Sequence, residues 1–127
     1  MKKKNPPLTE EEYLSNCRFL ENKDLYMRLR KTVFEGFSET ETAATKGYIS
    51  WSITGARQFA NIEIHKKNIC VLTRAPKKEY SIGSLVPSTH EWILNYRTYI
   101  TSEDDFAELK NIIRESYDKV LLNRRMK

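Results

Sequence analysis

The chain has 127 residues, 39% of them hydrophobic, and a formal net charge of +5 at pH 7. This length supports one hydrophobic core and is too short for two, so we expect a single domain over residues 1–127 with flexible ends at 1–7 and 123–127. No apolar run approaches the ~20 residues of a membrane span, and no apolar core of a signal peptide follows the basic N-terminus. We therefore expect a cytoplasmic protein with no membrane partner.

A first helix is predicted close to the N-terminus. Thr9 and Glu12 have the spacing of a capping box, and acidic residues fill the first turn, where the helix dipole favours negative charge. Apolar residues then recur at helical spacing as far as Leu20. The pattern predicts one helix from this cap to Leu20.

A second helix is predicted after a break at residues 22–24. Asp24 is a favourable N-cap, and the apolar face that follows runs at helical spacing from Leu25 to Phe37. Residues 38–45 are polar, which predicts a connection without regular secondary structure.

From residue 48 the apolar pattern changes to the alternation that is typical of strands. Segments 48–54 and 60–65 each place apolar side chains at every second position, which predicts two strands with one apolar face. Residues 66–68 form a short turn. Segment 69–73 is apolar on both faces, which predicts a central strand that is covered on both sides.

The last third of the chain predicts a loop, a strand and a helix. Pro, Gly and Ser punctuate residues 75–91, which indicates a loop around one sheet edge, and residues 92–100 predict a fourth strand. A helix cap at 101–105 precedes an apolar stripe from Phe106 to Val120. The predicted fold class is α+β in two layers: an antiparallel β-meander of about four strands covered by the N-terminal helices and one C-terminal helix.

The positive charge of the chain is concentrated in its middle. Segment 42–101 holds eight Lys and Arg against three Asp and Glu, whereas the segments before and after it are each balanced. Basic residues at strand ends, with aromatic residues nearby in sequence, predict a β-hairpin surface that binds nucleic acid or another polyanion, centred on the turn at 66–67. The candidate binding residues are Lys46, Arg57, Lys66, Lys67, Arg74 and Arg97. The same pattern also fits core aromatics and edge lysines that prevent sheet association.

No complete catalytic or metal site is predicted. His90 lacks the second histidine of a zinc protease motif, because that position is Leu94. Glu63 lacks the second carboxylate that a magnesium-dependent nuclease requires. Cys17 and Cys70 fall in apolar segments and are predicted to be reduced, buried thiols. We expect no cofactor and a non-catalytic protein.

A series of short motifs runs from residue 45 to residue 117. They are Thr45-Lys46 before the strand start Tyr48-Ile49, then Phe59, Ile62, Lys66-Lys67, Ile69, Val71, Thr89-His90-Glu91-Trp92 and Ile113-Arg114-Glu115-Ser116-Tyr117. Together they resemble a small bacterial family that is labelled "predicted transport protein" in some schemes and a domain of unknown function in others. The chain is also similar to a domain appended to restriction-type nucleases. The resemblance implies an α+β module associated with nucleic-acid defence systems, with no catalytic residues to carry over.

Two hypotheses of function follow from the sequence. The first is a small binding module that contacts nucleic acid or another polyanion in a defence or phage context. The alternative is a protein-interaction or small-nucleotide-binding module whose basic surface docks an acidic partner. A homodimer is compatible with either hypothesis.

Overall fold

In chain order, two helices precede the strands and one long helix follows them. A computed structural model describes residues 8–86 and 94–125. The helices of this part are α1 (Glu10–Ser15), α2 (Leu20–Phe34) and α3 (Phe106–Arg125), the last preceded by a 3-10 turn at Glu103–Asp105. The strands are β1 (Thr40–Ala44), β2 (Ile49–Ile53), β3 (Gln58–Ile64), β4 (Ile69–Thr73), β5 (Ser84–Leu85) and β6 (Tyr96–Ile100).

The strands form one antiparallel sheet in the order β1-β2-β3-β4-β6-β5. The predicted α+β class, with N-terminal helices, an antiparallel sheet and a C-terminal helix, is confirmed. Two strands were not predicted. β1 lies in the segment interpreted as a loop, and β5 adds two residues at the edge beyond β6. Predicted residues 92 and 93 of the fourth strand lie outside the described residues, and β6 begins at Tyr96.

The predicted boundaries of the first two helices are wrong. The capping box of α1 is present, because Thr9 Oγ1 accepts from the Glu12 N–H and the Glu12 carboxylate accepts from the Thr9 N–H, both at 3.1 Å. However, α1 ends at Ser15, and Leu20 begins α2. Asp24 is not a cap but lies within α2 and pairs with Arg28 at 3.2 Å. The polar residues at 22–24 therefore lie on helix surface and do not break the helix.

The helices pack on one face of the sheet. β2 contributes Ile49, Trp51 and Ile53, all fully buried, and α3 contributes the predicted stripe of Leu109, Ile113 and Tyr117. β4 is central, between β3 and β6, as predicted. Its second face was expected to be covered as well, and on that face Cys70 is buried and Leu72 is partly exposed.

A β-bulge shapes one end of the sheet. Trp51 lies opposite Ala60 but Ser52 lies opposite Gln58, so Phe59 is an extra residue in β3. The Phe59 ring lies on the helix side, where it packs edge-on against the Tyr117 ring at 5.3 Å between centroids.

The edge strand β1 has a backbone partner outside the sheet order. The Leu8 N–H donates to the Ala44 carbonyl at 2.9 Å, and the Ala44 N–H donates to the Leu8 carbonyl at 2.8 Å. These two bonds occupy one end of the outer edge of β1.

Candidate polyanion-binding surface

The face of the sheet away from the helices is polar. Because successive side chains of a strand alternate between the two faces, this open face is formed by the residues between the core positions. They are Glu41, Ala43, Ser50, Ser52, Gln58, Asn61, Glu63, Cys70, Leu72, Arg97 and Tyr99. The strand register arranges them in rows across the sheet. One row is Ser50, Asn61, Leu72 and Arg97, and the next is Glu63, Cys70 and Tyr99.

The structure divides the six candidate basic residues into two groups. Lys46, in the β1–β2 turn, and Lys66 and Lys67, in the β3–β4 turn, form the lysine end of the sheet. The arginine group consists of Arg57 in the β2–β3 turn, Arg74 directly after β4, and Arg97 near the start of β6. β3 has seven residues, which separates the two ends by roughly 20 Å. The turn at 66–67 is therefore not joined to Arg57 and Arg74 as a single surface.

The arginine group lies at one end of the sheet. Arg97 points to the open face by its register, and Arg74 directly follows Thr73, the last residue of β4. Burial lowers the pKa of Arg74, and the positive charge of Arg57 lowers it further, so the two guanidinium groups are close enough to repel each other. Both remain charged, because guanidinium deprotonates only at very high pH.

Two side-chain nitrogen atoms of the arginine group have no hydrogen-bond partner in the described part of the chain. The Nε atoms of Arg74 and Arg97 are buried and have no hydrogen-bond partner in residues 8–86 and 94–125. No ion pair within these same segments involves Arg57, Arg74 or Arg97. An unpaired buried donor costs free energy, which an anion bound between the guanidinium groups would recover.

An aromatic side chain lies beside Arg97. The guanidinium carbon of Arg97 is 5.1 Å from the centre of the Tyr99 ring, within the range of a cation–π contact. The Tyr99 residue is 50% exposed, whereas Tyr96 is buried and donates to the Ile82 carbonyl at 2.7 Å. Of these two tyrosines near Arg97, only Tyr99 offers its ring to a ligand.

Asn61 is a member of the open face that the sequence interpretation missed. The residue is 8% exposed, and its Oδ1 atom is buried without a hydrogen-bond partner in the described part of the chain. The local signal was present, since a polar amide in the middle of an otherwise apolar strand is uncommon. Its significance depends on the strand register, which places it in the row of Arg97.

The lysine end differs from the arginine group. Lys46, Lys66 and Lys67 are all exposed. The backbone of the β3–β4 turn is held to α2, because Asn22 Nδ2 donates to the His65 carbonyl at 2.7 Å and to the Lys66 carbonyl at 3.2 Å. The lysine side chains themselves extend from this fixed turn into water.

A family model described as a domain of unknown function matches residues 10–120, which include α1, α2, strands β1 to β6 and α3 as far as Val120. The chain belongs to the DUF5655 family. No curated protein and no solved structure matches it. Both the arginine group and the lysine end lie within the DUF5655 match.

The described residues of this DUF5655 domain contain few reactive groups. Burial, and next the Glu63 carboxylate, raise the pKa of Cys70 to about 11, so its thiol is protonated at neutral pH. Glu63 pairs with His65 at 3.0 Å rather than with a second carboxylate. Within residues 8–86 and 94–125 no three His, Cys, Asp or Glu side chains are placed to hold a metal ion, and no helix is long and apolar enough to cross a membrane. His90 lies outside the described residues.

Proposed function

We propose that this domain is a non-catalytic binding module that contacts nucleic acid or another polyanion through the arginine group on its open face. The observation that carries the proposal is that Arg57, Arg74 and Arg97 lie at the same end of the sheet and have no ion-pair partner among the described residues. Guanidinium groups bind phosphate oxygens with two parallel hydrogen bonds, which makes arginine well suited to this task.

The lysine end contributes to the proposed function by a different route. Its three ammonium groups are solvated, and they lie roughly 20 Å from the arginine group along β3. Charges at this distance are largely screened at physiological salt, but they raise the local concentration of a polyanion at low salt. We assign contact to the arginine group and attraction to Lys46, Lys66 and Lys67.

The proposed setting follows from the resemblance described above. Similarity to a domain appended to restriction-type nucleases favours nucleic acid as the polyanion, a cytoplasmic location and a role in defence. The alternative ligand is an acidic protein segment, which would use the same arginines with carboxylates in place of phosphates.

Binding of fluorescently labelled 12-nucleotide DNA, followed by anisotropy over a range of salt, tests the proposal. The double variant Arg57→Gln/Arg74→Gln is expected to bind at least ~10-fold more weakly, with a salt slope reduced by roughly two. The matched control Arg18→Gln/Lys31→Gln removes the same charge from exposed positions of the helical side and keeps its affinity within about twofold.

Three results would overturn the proposal. One is equal loss of affinity in both double variants, which would indicate diffuse attraction. Another is absence of binding by the parent at low salt. The third is arginine-dependent binding of a labelled polyglutamate peptide without binding of DNA, which would establish the acidic partner instead.

A further inference from the structure

The open face changes its chemistry along the strands. The end at the bulge carries the arginine group, and the row of Glu63, Cys70 and Tyr99 carries a carboxylate and an aromatic ring. Arg74 lies four positions beyond Cys70, and Cys70 is directly opposite Tyr99, so the two ends are about 13 Å apart. A purely anionic ligand would satisfy the arginine end and be repelled by Glu63 at the other.

We propose that the open face binds an unpaired nucleotide of a single-stranded nucleic acid, with its phosphates on the arginine group and its base against Tyr99 and Asn61. This inference rests on the proposed function and specifies its ligand. A nucleotide has the two-part character that the face requires, since an anionic group and a flat ring with hydrogen-bond donors are joined in one molecule.

Tyr99 supplies the stacking surface. Its ring stands on a strand of the sheet and is half-exposed, and Arg97 lies over the ring at 5.1 Å. A base that stacks on such a ring gains affinity by a factor of about 5 to 140, whatever its identity. Leu72, partly exposed between Asn61 and Arg97 in the same row, provides an apolar floor for the base.

Asn61 supplies an acceptor for the edge of the base. Its Oδ1 atom is buried and without a partner in the described part of the chain, in a residue that is more than nine-tenths buried. The neighbouring Glu63 is also an acceptor, and the exocyclic amino and ring imino groups of bases are donors. A buried polar group without a partner requires an explanation, and a base that donates to Asn61 Oδ1 supplies one.

The nucleic-acid strand must be unpaired to bind in this arrangement. In a duplex both faces of a base are covered by its neighbours, and its pairing edge is occupied by the opposite strand. The Tyr99 ring is carried by a strand within the sheet, so it stacks on a base that has left the base stack of the nucleic acid. Phosphate contacts alone would not distinguish the two forms of nucleic acid.

The test uses four labelled or competing probes of DNA: a mixed-sequence single strand of 12 nucleotides, a hairpin duplex, an abasic strand with the same phosphates, and a mononucleotide. We expect the single strand to bind at least ~10-fold more tightly than the abasic strand or the duplex. Tyr99→Leu is expected to remove this preference while leaving abasic binding unchanged, and Tyr99→Phe to retain it.

Asn61→Leu separates recognition from structure. Because this variant removes an unpaired buried acceptor, it should leave Tm unchanged or raised. It should weaken binding of the single strand several-fold and leave binding of the abasic strand unchanged. Tyr48→Leu, at the lysine end, is the matched control for Tyr99→Leu and should bind the single strand and the abasic strand like the parent protein.

The outcomes distinguish this inference from the proposed function. Equal, arginine-dependent binding of single and abasic strands would overturn the inference and leave the proposed function standing. Binding of neither strand would overturn both. A mononucleotide that competes as tightly as the 12-nucleotide strand would overturn the assignment to a strand and identify a free nucleotide as the ligand.

Discussion

The Ser116 hydroxyl of α3 donates a hydrogen bond to the Phe59 carbonyl of β3 at 2.5 Å and accepts one from the Arg74 N–H at 3.0 Å. Ser116 is fully buried, and it connects Phe59 of β3 to Arg74, directly beyond Ala60 and Thr73, the last residue pair of the β3–β4 ladder. The Ser116 side chain of α3 thus bonds to the backbone of two segments of the sheet and fixes the backbone position of Arg74.

Ser116→Ala is therefore expected to destabilise the domain. It leaves a carbonyl and an N–H unpaired in the interior, and each such group costs about 1–3 kcal/mol. Urea unfolding measures the change in the free energy of unfolding. Ser15→Ala, at the exposed end of α1, is the control and should change it by less than ~0.5 kcal/mol. A near-neutral Ser116→Ala would mean that water replaces the hydroxyl.

Ile113 tests the attachment of α3. The residue is completely buried against the sheet, so Ile113→Asp places an unpaired carboxylate in the core and should abolish soluble expression. Ile113→Val, which removes one methylene, should fold with a loss of about 0.5–1.5 kcal/mol. Asn111→Asp on the exposed side of α3 introduces the same charge as a control. Normal melting of Ile113→Asp would show that the helix is peripheral.

The two cysteines are expected to differ in reactivity. Both are free, but Cys70 is buried with a pKa raised to about 11, whereas Cys17 is half-buried. The single-cysteine variant Cys17→Ser isolates Cys70, whose labelling at pH 8 should be slow and should accelerate with rising pH as thiolate forms. Cys70→Ser isolates Cys17, which should react faster. Rapid labelling of native Cys70 would contradict its placement.

Tyr26→Phe should weaken the contact between α1 and the core. The Tyr26 hydroxyl accepts from Trp51 Nε1 at 3.0 Å and donates to the Glu10 carboxylate, which Arg30 Nε also binds at 2.8 Å. Removal of the hydroxyl leaves the indole N–H unpaired in the core, with an expected cost of about 1–3 kcal/mol in unfolding experiments at pH 7. An unchanged free energy of unfolding would show that the network contributes nothing.

Tyr26→Phe should also change how the free energy of unfolding depends on pH above ~9. Burial, and next the Glu10 carboxylate, raise the pKa of Tyr26 above its ordinary value of 10.0. The unfolded tyrosine therefore loses its proton first as pH rises past ~10, and stability falls from that pH upward. Tyr26→Phe should show a smaller decrease between pH 9 and 11. An identical slope in parent and variant would contradict the raised pKa.

Regular side-chain alternation made most of the sheet predictable. In β2 the positions of Ile49, Trp51 and Ile53 are visible in the sequence, because one face of a strand must be apolar to cover a core. β1 was missed because its residues, Thr40–Ala44, are polar or small, and their extended form depends on pairing with β2. The start of α2 was missed because Asn22 binds a turn 43 residues away.

The candidate site was predictable in composition and not in arrangement. Charge counting along the chain identified Arg57, Arg74 and Arg97, since regional excess of one sign is a property of sequence. Their separation from Lys66 depends on which end of each strand a turn occupies. Asn61 gains meaning only from the register that aligns it with Arg97.

The backbone pairing of Leu8 with Ala44 has a consequence for fibril formation. An exposed edge strand offers free N–H and carbonyl groups on which a second sheet can grow. Leu8 occupies these groups at one end of β1, and the charged Glu41 interrupts the rest, while the edge strand β5 has only two residues. The described part of the domain therefore gives a second copy little length on which to extend its sheet, so any dimer is expected to form through side-chain surfaces rather than through a continuous sheet.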